Sequence, residues 1–193
     1  MRRSLATRRA RYLGLALVGL GLAASMAGAR TQTSAPPLSP ASLSAIDFNF
    51  VGQANLGAPF QVDSGRLAEA KGANAAVRSY AQLMVTSHGP VVDALNAILR
   101  KKNITPSNPL LQGAYNAMLA TLKADHGAAF DRDYVNGQVE YQKGNAALFQ
   151  QEIRYGTDPD LKEFARQTLP KIEDHLQRVM KLAHPSAGRN ASN

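Results

Sequence analysis

Two histidines occupy positions where the apolar pattern of a helix predicts a core residue. The first series steps by four and three through Val77, Ala81, Met84, His88, Val91, Leu95 and Ile98. The second steps in the same way through Leu161, Ala165, Thr168, Ile172, His175, Val179 and Leu182. Because such steps place side chains on one stripe of a helix, both imidazoles are predicted to face the protein interior.

Two further predicted helices carry a polar residue in a similar stripe. One stripe consists of Gln53, Leu56, Phe60, Asp63, Leu67 and Ala70. The other consists of Val135, Val139, Gln142, Ala146, Phe149 and Ile153. The acid Asp63 and the amide Gln142 are therefore predicted to join the two imidazoles inside the protein.

The four polar residues are also predicted to lie at one depth. Antiparallel helices of similar length share the height of their midpoints, which fall here at about residues 59, 88, 142 and 171. Asp63, His88 and His175 offer carboxylate and imidazole donors, which suit a divalent zinc, copper or iron ion, with Gln142 as their partner in the layer. The alternative is a structural layer in which Asp63 pairs with a histidine and Gln142 bridges. The sequence leaves both interpretations open.

The elements that must position these residues are helices. Apolar residues recur at steps of three and four, and no segment shows the strict alternation of a half-buried strand. The predicted helices span about residues 47–71, 74–102, 110–123, 128–155 and 159–183. Four long helices and one short helix predict an all-α protein, an antiparallel four-helix bundle in one domain over residues 47–183.

Local signals support these helix ends. Asn74 is a predicted N-cap, and the two prolines of NITPSNP interrupt the chain. In YGTDPDL, Gly156 is predicted to take a left-handed conformation, Asp158 to cap the last helix and Pro159 to begin it. Pro170 is predicted to kink that helix.

The first 29 residues have the pattern of a secretory signal peptide. They combine five arginines and no acid with a short apolar run and the small-x-small sequence Ala27-Gly28-Ala29. Residues 30–46 are predicted to form a flexible linker, and residues 184–193 a disordered tail. We expect an exported, periplasmic protein, whereas an uncleaved leader would be a membrane anchor. Export through the general or the twin-arginine route stays open, because TRRARY matches the latter signal only in part.

Composition excludes several classes of function. The chain has 22 Lys and Arg against 14 Asp and Glu, but removal of the five leader arginines leaves 17 against 14. Such a small excess without basic clusters argues against nucleic-acid binding. The absence of cysteine excludes disulfides and thiolate chemistry. No nucleophile with a base, phosphate loop or paired acids is recognisable, so we do not expect an enzyme.

Several segments resemble one bacterial family, the domain-of-unknown-function family 4142. They are FVGQANLGAPFQVDSGRLA, RSYAQLMVTSHGPVVDAL, AAFDRDYV and ALFQQEIRYGTDPDLKEFARQTLPKIEDHLQ, between about residues 50 and 183. Members are often labelled outer-membrane or exported proteins, and the domain is related to ferritin-like bundles. The resemblance implies a ferritin-like fold and a peripheral membrane or envelope protein partner. It leaves the oligomeric state unspecified.

The resemblance also bears on the four polar residues. His88 and His175 match histidines of the family, with Ser87 replacing an acid, and Asp63 matches an acidic position. Gln142 stands where members usually have a third histidine, which implies an altered site. The Glu-x-x-His pairs of di-iron bundles are absent, since Val85 and Ile172 precede the histidines by three. We therefore expect an envelope-associated or stress-related binding or structural module, or alternatively a metal or small-ligand binding protein.

Overall fold

The computed structural model describes residues 43–184 and confirms the predicted all-α fold. Within this range the chain forms five helices and no strand. They are α1 (Ala45–Lys71), α2 (Ala75–Lys101), α3 (Pro109–Ala124), α4 (Gly127–Tyr155) and α5 (Pro159–Ala183). The predicted signal peptide, most of the linker and nearly all of the C-terminal tail lie outside the described residues. In the described part, none of the helices is both long enough and apolar enough to span a bilayer.

Polar side chains cap the helices close to the predicted ends. Ser44 and Asp47 form a reciprocal capping box at the start of α1. Asn74 caps α2, and Asp158 caps α5 by accepting hydrogen bonds from the Asp160 and Leu161 amides. The left-handed conformation predicted for Gly156 is wrong, because its φ is −60° and its backbone is extended. Helix α5 continues through Pro170.

Each long helix runs antiparallel to its neighbours. The hairpins α1–α2 and α4–α5 pack face to face, with α1 against α4 and α2 against α5. Helix α3 returns the chain along the outside, parallel to α1. It ends beside Lys71, whose Nζ donates to the carbonyl oxygens of Leu122 and Lys123 at 3.0 and 2.5 Å. The result is a four-helix bundle with one crossover helix, the short helix that the sequence predicted.

The core consists of two apolar clusters stacked along the bundle axis. The cluster near the start of α1, which we call the base, contains Phe50 with its ring 4.9 Å from Phe149. The upper cluster contains Met84 and Val179. His88 and His175 lie where the clusters meet, since Met84 and Leu95 flank His88 along α2 and belong to different clusters.

The predicted inward stripe of α1 is wrong by a rotation of the helix. Asp63 and Ala70 are exposed. The buried stripe instead consists of Phe50, Ala54, Gly57, Gln61, Ser64 and Ala68. Gly65, which is also buried, allows α1 and α2 to pack closely, because a Cβ there would lie 3.0 Å from the Ala81 carbonyl oxygen. A buried face of glycine, serine and glutamine does not stand out by hydropathy.

Candidate functional site

The two predicted inward histidines meet at the seam between α2 and α5. Their ring centroids are 5.2 Å apart, and their planes are inclined by 36°. Each residue is only 4% exposed. The amphipathic stripes of α2 and α5 dictate this meeting, because each helix buries the stripe that contains its histidine. We call His88 and His175 the histidine pair.

Hydrogen bonding assigns the proton on His88. Its Nδ1 lies 3.0 Å from the carbonyl oxygen of Met84 one turn earlier. A carbonyl only accepts, so Nδ1 carries the proton and Nε2 keeps a lone pair. The Nδ1 atom of His175 is buried and has no hydrogen-bond partner. The pair therefore offers imidazole lone pairs that protein groups do not use.

Burial keeps both imidazoles neutral. It lowers the pKa of His88 to about 4, although the Met84 carbonyl opposes this change. Burial also lowers the pKa of His175 to about 4, and the proximity of His88 adds to this effect. At neutral pH both rings are thus in the unprotonated form that coordinates metal ions.

The space beside His88 is very small. A cavity of about 10 Å³ is lined by His88, Asn145, Thr168 and Ile172, with Ala54, Ala58, Val91, Tyr141, Phe149 and Phe164 around them. This volume is about that of one water molecule, so an organic ligand does not fit. Larger grooves of about 580 and 320 Å³ follow the α2–α5 seam above and below the pair. They bring solvent close to it.

The other two predicted site residues do not complete a four-residue site. Asp63 is exposed on α1, so its predicted inward position is wrong. Gln142 is fully buried as predicted, but its Nε2 lies 3.5 Å from Tyr80 Oη and Met84 Sδ, and it does not line the cavity at His88. Across residues 43–184, no three His, Cys, Asp or Glu side chains gather as metal ligands.

The family model described as "Domain of unknown function (DUF4142)" matches residues 32–182. The chain belongs to the DUF4142 family. Neither the curated proteins nor the solved structures contain a significant match to it.

The DUF4142 domain also buries three polar residues, besides Gln142, that the sequence analysis missed. The Gln138 Nε2 atom donates to Ser64 Oγ at 3.4 Å, and Gln61 lies one turn from Ser64 on α1. Several buried atoms of this group have no hydrogen-bond partner: Gln61 Nε2 and Oε1, Gln138 Oε1 and Gln142 Oε1. We call Gln61, Ser64, Gln138 and Gln142 the amide cluster. Only the position of Gln138, one turn from Gln142 on α4, signalled this cluster in the sequence.

A second missed group lies at the base of the DUF4142 bundle. Asp47 accepts hydrogen bonds from the backbone amides of Thr157 and Asp158 at 2.9 and 3.2 Å. Lys102 forms an ion pair with Asp158 at 2.8 Å. Glu152 is fully buried beside Asp47. We call Asp47, Lys102, Glu152, Thr157 and Asp158 the base cluster.

The base cluster shifts the pKa values of two carboxyl groups in opposite directions. Burial alone would raise the pKa of Asp47, but hydrogen bonds from Ser44, Thr157 and the Asp158 amide lower it well below its usual range. Burial and the nearby carboxylates of Asp47 and Asp158 raise the pKa of Glu152 to about 8. Glu152 therefore holds a proton at neutral pH, while Asp47 is ionised.

Proposed function

We propose that this DUF4142 domain is a non-enzymatic binding module of the cell envelope, and that the histidine pair binds one transition-metal ion. The observation that carries this proposal is the meeting of two buried neutral imidazoles, one of which has an unpartnered nitrogen. Imidazole nitrogen is a ligand for zinc, copper, nickel and iron. The small cavity at His88 favours a bare ion over an organic ligand.

Copper(I) fits these surroundings better than a divalent ion. Both imidazoles are uncharged, and Asp63 is too exposed to add a carboxylate from the interior. The cost of burying an ion rises steeply with its charge, so a monovalent ion is favoured between two neutral ligands. Met84 adds a soft thioether one turn from His88, and thioethers select copper(I).

A purely structural layer has less support. It requires Asp63 to pair with a histidine and Gln142 to bridge the two. Asp63 is exposed, while His175 Nδ1 and Gln142 Oε1 are buried without partners. Buried polar atoms are normally hydrogen-bonded, and a layer that existed only for stability would close these bonds.

A metal titration of the exported protein, purified without an affinity tag, tests the proposal. We expect one copper(I) per chain in a competition assay under reducing conditions, and at least tenfold weaker binding of zinc. His88→Leu and His175→Leu should each lower copper(I) affinity at least a hundredfold, about 2.7 kcal/mol. His126→Leu is the matched control because His126 is exposed at the start of α4. Equal affinity in all three variants would contradict the proposal.

The location in the envelope is supported by the N-terminal leader alone. Its arginines, apolar run and Ala27-Gly28-Ala29 sequence favour export and cleavage. We expect the chain to begin near Arg30 and to appear in the periplasmic fraction. Intact mass and cell fractionation check this, and a retained leader in the membrane fraction would contradict it.

A further inference from the structure

A second cavity lies between α3 and α4, separate from the histidine pair. It measures about 140 Å³. Phe60, Met118 and Leu122 provide apolar walls, and Gly137 on α4 lies beside them. A Cβ at position 137 would lie 3.7 Å from Met118 Cε, so the absence of a side chain there leaves space under α3.

Two deeply buried polar side chains line this cavity. Tyr134 is 1% exposed and Gln138 is 2% exposed. The Tyr134 Oη and Gln138 Oε1 atoms have no hydrogen-bond partner. Because Gln138 Nε2 donates to Ser64 Oγ, the amide is oriented and its carbonyl oxygen is the free acceptor. One free acceptor and one free hydroxyl thus accompany apolar walls, which is typical of a small-molecule site.

The lining selects an uncharged ligand of limited size. Its one acid, Asp133, is already paired with Arg132 at 2.7 Å, and no cationic side chain lines the cavity. A charged ligand would therefore lose its hydration without gaining a partner. An apolar cavity of about 150 Å³ accommodates benzene, so this volume corresponds to one six-membered ring.

We propose that the cavity under α3 binds a single-ring phenol. The ring would pack against Phe60, Met118 and Leu122. With Met118 moved aside, the ligand hydroxyl would donate to Gln138 Oε1 and accept from Tyr134 Oη, two atoms that have almost no accessible surface in this structure and that the protein leaves unpaired. This site is independent of the histidine pair and of the metal proposal.

Helix α3 is suited to admit such a ligand. Leu122 is the one buried residue of α3. Met118 is 38% exposed and has a flexible unbranched side chain, so its movement opens the cavity without unfolding the bundle. Tyr115, stacked on Phe60 at 4.4 Å, and Lys71 hold the two halves of α3 in place.

Titration of the purified full chain with phenol, toluene and benzoate tests the assignment. Methyl-labelled methionine is the probe, with Met118 as the reporter and exposed Met180 as the internal control. Phenol should shift the Met118 methyl signal saturably and should bind at least tenfold more tightly than toluene, which lacks the hydroxyl. Benzoate should not bind. Equal affinity for phenol and toluene, or no shift at Met118, would overturn the proposal.

Two variants separate binding from folding. Gln138→Leu removes the free acceptor and should abolish the preference for phenol over toluene. Gly137→Leu fills the cavity and should weaken both ligands at least tenfold. Gly144→Leu is the matched control, because Gly144 is also on α4 and has open space around it. Unchanged selectivity in a folded Gln138→Leu variant would contradict the assignment, and thermal melts verify folding.

Discussion

The base of the bundle buries charged side chains, whereas its middle buries neutral ones. At the base, Asp47 accepts hydrogen bonds from Ser44, Thr157 and Asp158, and Lys102 is paired with Asp158. In the middle, His175 and Gln142 leave buried polar atoms without partners. The ionised groups of the base cluster therefore pair with one another and join the start of α1 to the α4–α5 turn, although both Glu152 carboxyl oxygens lack a hydrogen-bond partner. The middle differs because its unpartnered atoms include an imidazole nitrogen, which can bind a metal ion.

The two regions also respond to pH in opposite directions. Glu152 at the base has a raised pKa, so the folded state holds its proton more tightly than the unfolded chain does. The histidine pair has lowered pKa values, so the folded state resists protonation. By linkage, rising pH destabilises the base and falling pH destabilises the middle. Substitutions at Glu152 or at the histidine pair can therefore show which group causes the loss of stability at high pH and which causes it at low pH.

The largest expected effect concerns Glu152. Its pKa is about 8 in the folded protein against 4.5 for an ordinary glutamate, so its stabilisation is complete below pH 4.5 and is lost as pH rises towards 8. Glu152→Gln cannot ionise. Between pH 5 and pH 8 the variant should gain on the order of 4 kcal/mol in unfolding free energy relative to wild type. Chemical denaturation across this range measures the difference, and parallel profiles for the two proteins would contradict a buried protonated acid.

The next effect comes from Gly156, where α4 ends against Glu152. A Cβ at position 156 would lie 2.6 Å from the Glu152 carbonyl oxygen and would also overlap its carboxyl group. Gly156→Ala should lower the unfolding free energy by about 3 kcal/mol. The Glu152 carbonyl oxygen is fixed in the backbone and its carboxyl group is buried, so neither can move away easily. Gly144→Ala is the matched control on the same helix, and its open surroundings predict a gain of about 0.5–1 kcal/mol. Similar melting temperatures for both variants would contradict this packing.

The sequence predicted the histidine pair because strongly patterned helices hold it. Around His88 and His175, apolar residues mark one face of the helix and polar residues the other, so periodicity locates the interior. In α1 the buried face contains Gly57, Gln61 and Ser64, which are not apolar enough to mark it. Apolar periodicity therefore predicted an inward face that contains Asp63, which is exposed. Helix bounds were predictable for a different reason, since caps and prolines act locally.

The base cluster was not predictable from periodicity. Glu152 has the residue type of a solvated helix face, and only its contacts across three helices reveal its burial. Its partner Asp47 is 105 positions away in the sequence, so their meeting depends on tertiary packing. Sequence patterns identify which face of a helix is buried when that face is apolar, and they fail where ionisable side chains such as Glu152 are buried.

A smaller effect tests the middle of the bundle. His88→Leu/His175→Leu in metal-free protein should preserve or raise stability at pH 7, since no ionised partner is left unpaired. The pKa of each histidine is about 4 in the folded protein against 6.5 for an ordinary histidine, so wild-type stability is lost as pH falls from 6.5 towards 4. At pH 5.5 wild type should therefore lose on the order of 2.5 kcal/mol that the variant keeps. A His126→Leu control should follow wild type, and a large loss in the double variant at pH 7 would instead favour a structural layer.

The smallest expected effect compares two positions for an added histidine. The sequence points to position 142, and the structure points to position 145. Gln142 is the amide of the predicted polar layer, but its side chain contacts Tyr80 and Met84. Asn145, one turn further along α4, lines the small cavity at His88. His175 does not line this cavity, so an imidazole at position 145 should reach an ion of the histidine pair from the His88 side. Asn145→His should therefore tighten copper(I) binding at least tenfold, about 1.4 kcal/mol, while Gln142→His should change it by less.

Competition titrations of both variants against wild type measure this difference, with thermal melts to verify folding. A larger gain for Gln142→His would mean that the ion lies higher in the bundle, between Met84 and the amide cluster. In that case the proposed coordination by the histidine pair would be wrong. A gain confined to Asn145→His would locate the ion beside His88, because Asn145 and His88 line the same cavity from different helices. Binding would then require α2, α4 and α5 together, and copper(I) should raise the melting temperature of Asn145→His more than that of wild type.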